Sequence, residues 1–68
     1  MITLQQAVHQ AIKLAEHADN AWQFALDRER VDRYSLKARF DDRFKQLYLA
    51  KLAADVRARE AHDVLRRA

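Results

Sequence analysis

Apolar residues recur every three or four positions along two stretches of the chain, one on either side of a charged middle segment. This spacing places them on one face of an α-helix, whereas a half-buried strand would alternate strictly. Thr3 precedes the first stretch as a predicted N-cap, and Gln6 completes a capping box. The first stripe comprises Leu4, Ala7, Val8, Ala11, Leu14, Ala15, Ala18, Trp22 and Ala25. It predicts helix 1 over residues 4–28.

The second stretch predicts helix 2 over residues 36–66. Asp32 or Ser35 is its expected N-cap, because short polar side chains can bond the free backbone groups at a helix start. The chain contains no Gly and no Pro, so these two side chains must also take the place of the usual turn residues. The second stripe comprises Leu36, Phe40, Phe44, Leu47, Ala54, Ala58, Ala61 and Leu65.

The charged segment between the stripes is where we expect the chain to reverse, within residues 28–35; the alternative is one unbroken helix. Reversal predicts an all-α fold, a single domain over residues 1–68 built as an antiparallel two-helix hairpin. Trp22 then lies near Phe40 and Phe44, toward the turn. Small residues dominate both stripes toward the chain termini and let the helices approach closely.

Several large apolar residues are left outside the predicted hairpin core. A chain of 68 residues without cysteine has no disulfides to supplement a small core, and self-association is a common substitute. The unassigned apolar residues therefore predict a homodimer, a four-helix bundle, or alternatively a groove for another protein. The predicted dimer interface comprises Phe24, Leu49, Leu52 and Val56.

Charge is abundant and uneven along the chain. Residues 35–68 carry nine basic and five acidic side chains, against four and five in residues 1–34. A basic helix 2 is compatible with nucleic-acid binding. However, pairs such as Asp41–Lys45 and Asp55–Arg59, with Glu29–Arg33 and Asp63–Arg67, have the acid four residues before the base, which favours local ion pairs. We therefore expect a solvated, salt-bridged surface.

The turn and the flank of helix 2 combine basic residues with tyrosine. Tyr and Arg are enriched where binding energy concentrates in protein interfaces. The alternative is an ordinary polar turn. The residues predicted to contact a protein partner are Arg30, Arg33, Tyr34, Lys37, Arg39, Asp41 and Tyr48.

Other classes of function find little support in the residues. Asp41 and Asp42 are neighbours about 100° apart on a helix and cannot face one substrate as an acid–base pair. His9, His17 and His62 lack metal-ligand spacing, so we expect no enzyme, metal or cofactor. No apolar run could span a membrane, and the opening MITLQQAVHQ lacks the basic region of a signal peptide. The expected location is the cytoplasm.

Two resemblances refine these expectations. The stripes LQQAVHQAIKLAEHADNAW and FDDRFKQLYLAKLAADV, with the small size, resemble the helical proteins that phages and plasmids make to disable host proteins, such as the phage anti-activator of quorum sensing. This implies a homodimeric inhibitor of a host regulator such as a transcriptional activator, acting in the host cytoplasm. The outer face of helix 1 resembles instead the RNA-facing helix of plasmid copy-number regulators, which is the alternative. That face carries Gln6, Gln10, Lys13, His17, Asn20 and Phe24.

Overall fold

The fold is all-helical, as predicted, but residues 2–67 form three helices and not two. The computed structural model describes residues 2–67. Helix α1 spans Leu4–Arg28, the short α2 spans Leu36–Phe40, and α3 spans Asp42–Arg67. The predicted helix 2 is thus divided at Asp41, whose backbone is extended at φ −66° and ψ 134°.

The start of α1 is fixed by the predicted capping box. The Thr3 hydroxyl accepts a hydrogen bond from the Gln6 backbone N–H at 3.1 Å. The Gln6 side-chain oxygen accepts one from the Thr3 backbone N–H at 3.0 Å. Two of the N–H groups left free at this helix end are therefore bonded locally.

The end of α1 forms a Schellman motif without glycine. The Val31 N–H donates to the Leu26 carbonyl at 2.9 Å, and the Arg30 N–H donates to the Asp27 carbonyl at 3.2 Å. Arg30 consequently takes a left-handed backbone with φ 55°. Val31 then packs against the core cluster that contains Leu26, which is the apolar contact usual in this motif.

Because Arg30 holds a left-handed conformation that costs a residue with a Cβ about 1–2 kcal/mol, Arg30→Gly is expected to stabilise the protein. Glycine loses more chain entropy on folding, so the net gain should be about 1 kcal/mol. That gain corresponds to a rise in melting temperature of roughly 4–8 °C, measured by circular dichroism. Arg30→Ala is the matched control, since it removes the charge but keeps the Cβ. An equal rise with alanine would contradict the backbone explanation.

The turn after α1 is closed by the two side chains that the sequence indicated. The Tyr34 N–H donates to the Asp32 carboxylate at 3.1 Å, and the Ser35 hydroxyl donates to the Asp32 carbonyl at 2.6 Å. The same hydroxyl accepts from the Ala38 N–H at 3.3 Å. Ser35 is therefore the N-cap of α2, and residues 29–35 separate α1 from α2.

The core lies at the turn end of the molecule, where α1, α2 and α3 meet. Its buried cluster comprises Trp22, Leu26, Ala38 and Phe44. Trp22 therefore lies with Phe44, as predicted. Phe40 and Leu36, however, are 66% and 71% exposed, so their predicted place in the core is wrong. Since the chain is extended at Asp41, α2 does not continue the helical phase of α3, and Ala38 faces the core instead.

Contacts between the long helices run in opposite order along the two elements. Glu29 of the turn pairs with Arg43 near the start of α3, at 3.4 Å. Trp22 lies 5.2 Å from the Tyr48 ring, centroid to centroid. Asp19 lies 3.8 Å from the Lys51 ammonium group, which also bonds Asp55 at 3.1 Å. Earlier residues of α1 therefore meet later residues of α3.

The molecule is elongated, at 42 × 17 × 15 Å with a radius of gyration of 14.1 Å. A compact domain of this length would have a radius of gyration of about 11 Å. The chain exposes 5582 Å², whereas a compact monomer of its mass, 8.0 kDa, exposes about 4,500 Å². The excess of about 1,100 Å² exceeds the share, about 800 Å², that one partner buries in a standard interface.

Candidate protein-binding site

Residues 30–40, which are called the tip below, form the most exposed apolar segment at the turn end. The tip contains the end of the turn and α2. Tyr34, Leu36 and Phe40 are 76%, 71% and 66% exposed, respectively. Three large apolar side chains this exposed within seven residues form a cluster, and clusters of this kind mark interaction surfaces more often than single exposed residues do.

A buried hydrogen bond fixes the position of the tip. The Trp22 indole N–H donates to the Ala38 carbonyl at 2.9 Å, while Ala38 itself is fully buried. A helix of five residues is too short to be stable by itself in water. Its order therefore depends on this bond, on the Ser35 cap and on the packing of Ala38 against Trp22 and Phe44.

The tip carries three exposed cations, one of which lies over its exposed tyrosine. The Arg33 guanidinium carbon lies 5.5 Å from the Tyr34 ring centroid, a cation–π distance. Arg30, Arg33 and Lys37 are exposed. None of the three lies within 4.0 Å of a carboxylate among residues 2–67. The tip thus offers unpaired positive charge beside apolar surface.

Arg39, Asp41 and Tyr48, which were also predicted to contact a partner, make contacts within the fold. Tyr48 is half-buried beside Trp22, in the partly buried layer around the core. Arg39 is half-buried too, and its guanidinium lies over the Tyr48 ring at 5.9 Å. Asp41 precedes α3, and its carboxylate accepts from the Arg43 backbone N–H at 2.9 Å. Of the seven predicted residues, Arg30, Arg33, Tyr34 and Lys37 remain free at the tip.

Asp41 is expected to make folding sensitive to acid. The Arg43 side chain donates to its carboxylate at 3.2 Å. This bond, with the Arg43 backbone N–H, holds the pKa of Asp41 below its usual value. Because the pKa of Asp41 is lower in the folded than in the unfolded chain, the ionised carboxylate stabilises the fold at pH values above the unfolded-state pKa, which is near 4. This stabilisation is lost as the pH falls through the folded-state pKa. Asp41→Asn should therefore lower the melting temperature at pH 7 but reduce its fall between pH 5 and pH 2.

The control for that measurement is Asp27→Asn, which removes an exposed carboxylate of α1 that caps no helix. Melting curves of both variants and of the unmodified chain should be recorded across the same pH range. The role assigned to Asp41 fails if Asp41→Asn leaves the melting temperature at pH 7 unchanged, or if Asp27→Asn reduces the acid sensitivity equally.

The structure places the predicted dimer-interface residues on two separate surfaces. Phe24, 65% exposed, follows buried Trp22 by two positions and so faces away from α3. Leu49, Leu52 and Val56 are 47%, 40% and 50% exposed. They lie together along α3, on the side away from α1. A single flat interface can use this α3 stripe or Phe24, but not both.

The ion pairs in the structure differ from those that local spacing suggested. The predicted pairs Glu29–Arg33, Asp41–Lys45, Asp55–Arg59 and Asp63–Arg67 are not formed within 4.0 Å in the described structure. Arg43 instead bonds Glu29 and Asp41, and Lys51 bonds Asp19 and Asp55. Lys51 also lies 5.7 Å from the Trp22 ring centroid. Of the four ion pairs, Lys51–Asp19 and Arg43–Glu29 join α3 to α1 and its C-cap, whereas Arg43–Asp41 and Lys51–Asp55 are local.

Two further features of residues 2–67 concern the type of site. No helix there is long and apolar enough to cross a membrane. The same residues contain no group of three or more His, Cys, Asp or Glu placed to hold a metal ion.

Comparison of the chain with protein-family models, with curated proteins and with solved structures found no match.

Proposed function

We propose that this chain is a small non-enzymatic regulator that binds another protein through its tip. The observation that carries the proposal is the exposure of Tyr34, Leu36 and Phe40 on a segment held in place by a buried Trp22 hydrogen bond. A surface that is ordered before binding loses little conformational entropy when a partner docks. The exposed aromatic rings then supply large contact areas.

The chemistry of the tip indicates what kind of surface the partner presents. Arg30, Arg33 and Lys37 lie beside the apolar cluster without acidic neighbours within ion-pair distance in the described structure. An apolar patch edged by carboxylates would complement this arrangement and would steer association. We therefore infer a protein partner with an acidic, apolar surface, such as a host transcriptional activator if the gene belongs to a mobile element.

Self-association is the second part of the proposal. The two long helices would form an antiparallel hairpin, and two hairpins would form a four-helix bundle. The support is the small buried core together with the excess exposed area of about 1,100 Å². The exposed Leu49, Leu52 and Val56 lie in one line on α3 and would supply the apolar contact.

RNA binding is the alternative function, and it would use the outer face of α1. Nucleic-acid affinity depends on neutralising phosphates with cations. The outer face of α1, which resembled an RNA-facing helix, offers Lys13 as its one cation among Gln6, Gln10, His17, Asn20 and Phe24.

Affinity capture from a lysate of the cell in which the protein acts tests this function. The immobilised chain should retain a protein whether or not the lysate is treated with nuclease. Tyr34→Ala should lose that protein, whereas Lys13→Ala should retain it. Loss of binding after nuclease treatment, together with loss in Lys13→Ala, would transfer the function to RNA binding.

A further inference from the structure

A line of exposed residues runs along α3 outside its buried contact with α1; its centre faces away from α1, while Arg59 and Asp63 lie on the flank near Ile12. From Asp42 to Arg66 its members are separated by alternating steps of three and four residues, and each of them is exposed. This is the seven-residue repeat of a helix that pairs with another helix. The centre of the line is apolar, since it consists of Leu49, Leu52 and Val56.

The two ends of the line are charged. Asp42 and Lys45 precede the apolar centre, and Arg59, Asp63 and Arg66 follow it. None of these five side chains lies within 4.0 Å of an opposite charge in the part of the chain that is described. The order of these charges makes the line self-complementary. Asp42 precedes Lys45 at one end, and Asp63 precedes Arg66 at the other. When two copies run in opposite directions, each acid therefore faces a base.

We propose that α3 pairs antiparallel with α3 of a second copy, about a two-fold axis midway between Leu52 and Val56. This arrangement rests on the self-association in the proposed function. It sets Leu52 against Val56 of the second copy, and Lys45 against Asp63 of the second copy. A two-fold axis repeats every such contact, so each pair forms twice.

The remaining positions fit the same register. Asp42 faces Arg66 of the second copy, an opposite charge. Leu49 faces Arg59 of the second copy, whose methylene groups can cover the leucine while the guanidinium reaches water. Every position of the line thus has a compatible partner.

Other arrangements of the same line are less favourable. In a parallel pair Lys45 would face Lys45, and Asp63 would face Asp63, so the charged positions would repel. An antiparallel pair shifted by seven residues toward the tip would set Lys45 against Val56 and would leave Asp63 and Arg66 without partners. The charges therefore select the direction and the register.

The antiparallel dimer would present its two tips at opposite ends. The tip adjoins the start of α3, and the 26 residues of α3 span about 39 Å. Each dimer would therefore hold two partner molecules roughly 40 Å apart. Binding at one tip would leave the other accessible.

Oxidative cross-linking of the full-length chain tests the arrangement, because the chain contains no cysteine. Lys45→Cys and Asp63→Cys should each stay uncross-linked alone, since like positions would lie about 27 Å apart. Mixed and oxidised, the two variants should give a disulfide-linked heterodimer, because facing positions fall within disulfide reach. Gln10→Cys, on the outer face of α1, mixed with Lys45→Cys is the control and should give none.

Charge reversal gives an independent readout by sedimentation. Lys45→Glu should raise the dimer dissociation constant about tenfold, and adding Asp63→Lys to the same chain should restore it.

Cross-links within each single variant would show a parallel pair and overturn the proposal. Ala11, Leu14 and Ala50 line a separate shallow groove between α1 and α3. A dimer that gives no 45–63 cross-link and that Leu14→Asp dissociates would place the interface at this groove and would also overturn the proposal. In that case self-association itself would stand. A chain that stays monomeric at 100 µM would overturn both the α3 pairing and self-association. Tip binding is measured separately by affinity capture.

Discussion

Trp22→Ala is expected to abolish the cooperative melting transition and most of the helical circular dichroism signal at 25 °C. Trp22 is 3% exposed, contacts the Tyr48 ring, and bonds the buried Ala38 carbonyl. Loss of a buried tryptophan costs about 3–5 kcal/mol. A chain of this size has a core that supplies no more than about 3–5 kcal/mol in total, so little stability would remain.

Trp22→Phe separates the hydrogen bond from the packing. Phenylalanine keeps much of the apolar contact but leaves the Ala38 carbonyl without its donor, which costs about 1–3 kcal/mol. Partner binding should weaken along with stability, because α2 loses its anchor. Phe24→Ala, an aromatic substitution at a 65% exposed position two residues away, should change stability by less than about 0.5 kcal/mol. Equal losses for Trp22→Phe and Phe24→Ala would contradict the anchoring role.

Tyr34→Ala and Phe40→Ala are each expected to weaken partner binding by about thirtyfold, with helical content unchanged. Truncation of a residue that dominates an interface costs about 2 kcal/mol or more, and every 1.4 kcal/mol is tenfold in affinity. The two side chains are 76% and 66% exposed, so neither contributes to the core. Titration calorimetry with the captured protein gives the dissociation constants.

Phe24→Ala is again the matched control for this titration, because Phe24 is an equally exposed aromatic residue on the outer face of α1. It should leave the affinity within about twofold, since surface contacts outside an interface contribute little. Loss of affinity in Phe24→Ala with none in Tyr34→Ala and Phe40→Ala would move the binding surface from the tip to α1.

The features that could be predicted from the sequence are those set by neighbouring residues. The capping box of Thr3 and Gln6 closes over three positions and needs no distant contact to form. Asp32 and Ser35 likewise bond backbone groups within the turn. The helical period and the absence of Gly and Pro were enough to predict the all-α class.

The exposed apolar part of the site was missed because one residue changes the helical phase. In a continuous helix Phe40 lies one turn before Phe44 and shares its buried face. Asp41 interrupts that helix as the N-cap of α3, which exposes Phe40 and Leu36 and turns Ala38 inward. A signal was present in the sequence, since aspartate is a poor residue for a helix interior and a preferred N-cap.

The separation of the predicted dimer interface into two surfaces has a different cause. The helical pattern groups Phe24 with Leu49, Leu52 and Val56 because none of these residues lies on the core-facing apolar stripe of its helix. Residues that face away from a shared core on two different helices lie on opposite sides of the helix pair. The contacts between α1 and α3, such as that of Trp22 with Tyr48, determine which sides of the pair these residues occupy. The helical period of either helix alone does not contain this information.

The most direct test of tip binding is an NMR titration of the ¹⁵N-labelled chain with the unlabelled captured protein. We expect the largest changes in backbone amide signals in residues 30–40, with small changes along the outer face of α1. Changes concentrated at Gln6, Gln10, Lys13 and His17, with residues 30–40 unaffected, would contradict it.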